Sequence, residues 1–180
     1  MNVTVSIAPA GVGPAATFAV FVIVLALSGL MAGVAVSPDG GRTRRSVVVL
    51  VCIAVALLPA GTMLAPYFVR FSIDAQSLKI RGDLWGRTIP LTELRVREAR
   101  TLDWASDSAF RPVRRTGGAS LPGYMGGWWR LASGSPALLF VTDRSRVVMI
   151  PAADGYVLLL TPDEPARFLT AIAATNNAGR

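Results

Sequence analysis

The chain has 180 residues, 52% of them hydrophobic, with 18 Lys plus Arg against 11 Asp plus Glu (net charge +7), one cysteine and no histidine. Without histidine the commonest general base, the Ser-His-Asp arrangement and most zinc sites are excluded, and a lone Cys52 excludes an intrachain disulfide or a cysteine-rich metal cluster. Charged residues make up 16%, against roughly 25% in an ordinary globular domain, so the composition points to a membrane-associated, non-enzymatic chain with no cofactor and no resident metal.

Residues 1–14 carry no Lys or Arg and read as an N-terminal tail. From Ala15 to Val36 there is no charge, and Phe18 to Leu27 reads FAVFVIVLAL. At about 1.5 Å of rise per residue, some 20 such residues cross a hydrocarbon core of about 30 Å. A second uncharged run, Ser46 to Phe68, includes Pro59 and Pro66, which membrane helices tolerate better than soluble ones. The absence of a basic n-region argues against a cleaved signal peptide. Residues 15–68 are therefore expected to form a transmembrane hairpin with spans of about 15–36 and 46–66. Gly29 with Gly33, and Ala56 with Ala60, have the small-residue spacing that lets helices approach closely in lipid.

The link SPDGGRTRR, Ser37 to Arg45, joins a turn to three arginines. By the positive-inside rule it favours a cytoplasmic link and an extracytoplasmic C-terminal domain in a two-pass plasma-membrane protein, with Arg70, Lys79, Arg81 and Arg87 weighing the other way.

From Val69 the pattern changes to period two: Val69, Phe71 and Ile73 alternate with Arg70, Ser72 and Asp74, and Leu78 and Ile80 with Lys79 and Arg81. Such alternation predicts strands with one buried face. Turn residues follow at Asp74 to Ser77, Gly82-Asp83, Asp143 to Ser145 and Asp154-Gly155. The more apolar runs Ala137 to Val141, Val147 to Ile150 and Tyr156 to Leu160 predict central strands of a curved antiparallel sheet. Thr161 or Asp163 offers an N-cap for a terminal helix over 163–175, with Phe168, Leu169 and Ile172 on one face.

Three stretches in residues 69–180 resemble bacterial pleckstrin-homology-like (PH-like) domains: FSIDAQSLKIRGDLWGRTIPLTEL from Phe71, RPVRRTGGASLPGYMGGWWRL from Arg111, and VLLLTPDEPARFLTAI from Val157. The resemblance implies an antiparallel β-barrel or sandwich of two sheets capped by the C-terminal helix. With the hairpin, the expected fold class is α+β. The basic phosphoinositide signature of eukaryotic relatives is missing, since the first hairpin offers only Lys79 and Arg81.

The stretch Thr101 to Gly127 lacks strand periodicity and reads as a long loop, of the kind that carries function. Arg111, Arg114, Arg115, Tyr124, Trp128, Trp129 and Arg130 are the candidate contact residues in and just after it. In one reading the arginines bind phosphate groups or an acidic partner while the aromatic rings line an interface. In the other, Trp128 and Trp129 begin a strand, one ring enters the core, and the arginines are merely solvated. Asp103 and Asp107 are a nominal cation pair, better read as solvated loop carboxylates. The basic residues are too dispersed for nucleic acid. The expected function is a non-catalytic scaffold that binds a protein partner or a second copy at the lipid bilayer; the alternative is a module that binds anionic lipid head groups.

Overall fold

Period-two segments build the first sheet. In the computed structural model, which describes residues 3–8, Ile23 and 68–178 apart from Pro122, they form β2 (Arg70–Ile73), β3 (Ser77–Arg81) and β4 (Thr88–Pro90). Phe71, Ile73, Leu78, Ile80 and Ile89 point inward and are almost free of solvent. A fourth strand comes from the segment expected to be a tail. β1 (Val3–Ser6) pairs antiparallel with β2, Val5 opposite Phe71, giving the order β1-β2-β3-β4.

The second sheet comprises β5 (Arg100–Leu102), β6 (Pro112–Leu121), β7 (Tyr124–Leu131), β8 (Pro136–Val141), β9 (Val147–Pro151) and β10 (Val157–Leu160), in the order β5-β9-β10-β8-β7-β6. β10 inserts between β9 and β8, so it runs parallel to β8, with Leu158 opposite Leu138. The expected all-antiparallel sheet is thus a mixed one. Hydrophobic pattern specifies which faces are buried; it does not specify which strands are neighbours.

β8, β9 and β10 are buried on both faces, which explains their continuous apolar sequences. One face, through Leu138, Phe140, Val148, Ile150, Leu158 and Leu160, meets the first sheet. The opposite face, through Ala137, Leu139, Val147, Met149 and Leu159, clusters with Trp104 and Trp129, and Phe110 packs against it. The C-terminal helix α1 (Pro165–Ala178) buries Phe168 and Ile172, and the Phe71 and Phe168 rings meet edge to face at 6.1 Å. Thr161 is not free to cap it: fully buried, it donates its hydroxyl to the Asp143 carbonyl at 3.2 Å.

Residues 7 and 8 extend β1 across the gap between sheets. Ile7 bridges to Pro162, Ala8 N–H donates to the Thr161 carbonyl at 2.9 Å, and the Thr142 hydroxyl donates to the Ala8 carbonyl at 2.8 Å. These contacts join the chain's first residues to its last strand within one unit, Met1–Ala10 with Ala65–Arg180.

The expected fold class, α+β led by a two-helix transmembrane hairpin, is corrected. The described structure is mostly β-sheet with one C-terminal helix, and among the described residues no helix is long and apolar enough to cross a membrane. The two-pass plasma-membrane placement is corrected with it. The segments 15–36 and 46–66, with Gly29, Gly33, Ala56 and Ala60, lie outside the described residues, Ile23 apart. Apart from residues 65 and 66, they fall in a second unit, Gly11–Leu64. An apolar run records exclusion from water, which lipid and protein achieve alike. Part of the high mean hydropathy, +0.50, belongs to the doubly buried strands β8 to β10.

Candidate functional site

The stretch expected to be a long loop is largely a β-hairpin. β6 and β7 pair from Pro112 opposite Leu131 to Leu121 opposite Tyr124, with register shifts between Pro112 and Arg114 and between Arg115 and Gly117. Each shift leaves an extra residue, Val113 and Thr116, and each reverses the alternation of faces. That phase change, with glycines in place of informative side chains, hides the strand from a period-two reading.

The glycines have a packing role. A Cβ on Gly126 would lie 2.6 Å from the Tyr124 hydroxyl oxygen, and one on Gly127, whose φ is +84°, would lie 2.8 Å from a Trp85 ring carbon. Aromatic rings rest directly on this backbone, so a side chain there has no space. Tyr124 itself is buried and donates its hydroxyl to an Asp83 carboxylate oxygen on the β3–β4 loop. Burial first, and that bond second, raise its pKa well above the usual tyrosine value. Arg87 of the same loop stacks on the Trp128 ring at 5.1 Å, and Trp128 meets Tyr156 edge to face at 5.3 Å. Asp83, Trp85 and Arg87 therefore tie the first sheet to β7.

The seven candidate residues separate into two sets. Tyr124 and Trp129 are buried, and the Trp129 indole N–H donates to the Gly126 carbonyl at 3.2 Å. Trp128 is half-buried against the core between the sheets. Arg111 is spent on the loop before β6, its guanidinium donating to the carbonyls of Trp104 and Ala105. Arg130 donates to the Gly134 carbonyl at 2.7 Å. Arg114 and Arg115 are different: both are exposed on β6, with no acidic partner among the described residues. Arg114 lies opposite Arg130 and Arg115 opposite Trp129, so the two side chains leave by opposite faces of the sheet.

β6 is the last strand of its sheet, and its ten residues make it much longer than the other end strands, β5 (three), β1 (four) and β4 (three). Residues 113–117 are all exposed, Val113 at 64%. This edge is not visible in the sequence, because it depends on which strand ends the sheet. One signal was available: Ser108 to Thr142 contains four arginines and no Asp or Glu.

Elsewhere, Asp103 and Asp107 are engaged locally: Asp103 accepts from the Ala105 N–H, and Asp107 accepts from the Asp103 N–H and pairs with Arg100 at 3.8 Å. Lys79 is paired with Asp74. A groove of about 1060 Å³ lies between α1, at Ala171, Ala174 and Thr175, and the segment Pro90, Leu91 and Leu94, and none of its lining residues is ionisable.

Two sheets about a shared core and a closing helix leave β6 as an accessible strand edge. The bacterial PH domain family model matches residues 69–175, and the chain belongs to that family. A domain of this class is an interaction module for protein or lipid. The match begins at Val69, so β1 is an addition from outside the family segment. Neither the curated proteins nor the solved structures compared give a match.

Proposed function

We propose that this chain is a non-catalytic protein-interaction module, with the free edge of β6 as its contact surface. The observation that carries this reading is the pair Arg114 and Arg115, exposed on the longest end strand while Arg111 and Arg130 are held by backbone carbonyls. Exposed edges invite strand partners, and proteins usually shorten or cover them. Tyr124, Trp128 and Trp129 pack as the second of the two sequence readings expects, with one or more rings in the core, and this favours the edge over an Arg/Trp site for lipid.

A lipid reading keeps one observation of its own: Leu84, 92% exposed, stands at the tip of the β3–β4 loop between Arg81 and Arg87. A photo-crosslinking residue at position 115, and separately at 84, separates the two in producing cells. A discrete protein adduct at 115 that disappears when Arg114 is changed to Glu is the expected result. Adducts to phospholipid alone, at either position, would overturn the protein reading in favour of the lipid one.

A further inference from the structure

We propose that the β6 edge accepts an extended acidic segment of a partner protein as an added strand. This rests on the protein-interaction reading above and specifies the partner's chemistry.

Three observations converge. An end strand presents backbone N–H and C=O groups on its outer side, and strand addition satisfies them while alternate side chains set specificity. Among the described residues, no backbone hydrogen bond outside its own sheet reaches Val113 to Leu121. Arg114 and Arg115 project to opposite faces, so carboxylates on either face of an incoming strand would find a guanidinium, the geometry that favours charge-assisted pairing. The exposed Val113, itself the bulge residue before the arginines, adds an apolar contact. Among the described residues no ion pair involves either arginine, and the acidic residues nearest in sequence, Asp107 and Asp143, are paired with Arg100 and Arg146.

The same arginines decide against a second copy of this chain. Two β6 edges brought together would set guanidinium groups against one another across the new pairing, and like charges placed opposite destabilise a sheet. An acidic strand turns the repulsion into attraction.

The test uses the full chain and two end-capped synthetic peptides, one alternating Val and Glu, the other alternating Val and Lys. Binding is followed by fluorescence anisotropy, and amide hydrogen exchange is followed along β6. The expected result is that the Glu peptide slows exchange at Val113 to Leu121 and binds at least about tenfold more tightly than the Lys peptide, with the preference weakening as salt rises. The double variant Arg114→Glu, Arg115→Glu should reverse the preference. Equal protection of β6 by both peptides would overturn the acidic specificity and leave edge binding intact. Protection by neither would overturn strand addition, while the crosslinked adduct at position 115 would still report separately on protein interaction.

Discussion

Replacing Ile7 by alanine asks whether the first eight residues belong to the folded domain. Ile7 is 6% exposed, joins the core between the sheets and bridges to Pro162. Its backbone bonds survive the substitution, so the loss is that of buried carbon and the cavity left behind, about 2–4 kcal/mol. Against a typical stability of roughly 5–15 kcal/mol this is a large fraction. The four tryptophans, Trp85, Trp104, Trp128 and Trp129, all lie in the unit that contains Ile7. Urea unfolding followed by tryptophan fluorescence therefore reads this unit directly. With a slope of about 2 kcal/mol per molar urea, the midpoint should fall by about 1–2 M at unchanged slope. Thr4→Ala is the control: Thr4 is exposed and its hydroxyl meets Ser72 at 3.4 Å, so less than about 0.5 kcal/mol should be lost. An Ile7→Ala midpoint within about 0.3 M of the unaltered chain would refute the assignment of β1 to the core.

Gly127→Ala should cost more than Gly134→Ala in the same assay, by about 1–3 kcal/mol of overpacking, because both have positive φ but a Cβ at Gly134 meets nothing within 4 Å. Tyr124→Phe removes the bond to Asp83 and should cost about 1–3 kcal/mol near neutral pH. Because the folded-state pKa of Tyr124 is raised above the ordinary 10.0, its stabilising contribution is complete below pH 10 and declines above it as the unfolded state ionises first. Unfolding midpoints measured between pH 9 and 11 should therefore fall more steeply for the unaltered chain than for Tyr124→Phe. Arg111→Ala should destabilise by about 1–2 kcal/mol through two lost carbonyl bonds, whereas Arg114→Ala and Arg115→Ala should each stay within about 0.5 kcal/mol, since neither holds the fold.

Much of the domain was legible in local pattern. The alternation around Phe71 and Ile80 marked strands buried on one face, the more apolar runs at Ala137, Val147 and Tyr156 marked central strands, and the terminal helix announced itself through Phe168 and Ile172. The site was only partly legible. The sequence could nominate Arg111, Arg114, Arg115 and Arg130 together, because arginines look alike until their neighbours are known. The carbonyls that occupy Arg111 and Arg130 come from residues brought close by loops and turns.

By itself, then, the chain's sequence determined chemistry and periodicity: no histidine for acid-base work, an excess of arginine, alternating strands and a capping helix. Tertiary structure decided what depends on distant partners. It paired Val5 with Phe71, slid β10 between β8 and β9, laid aromatic rings on Gly126 and Gly127, and left β6 at the end of its sheet. Side-chain pattern is a local property, whereas strand neighbours, close approach and free edges arise only when segments far apart in the chain compete for the same space and the same hydrogen bonds.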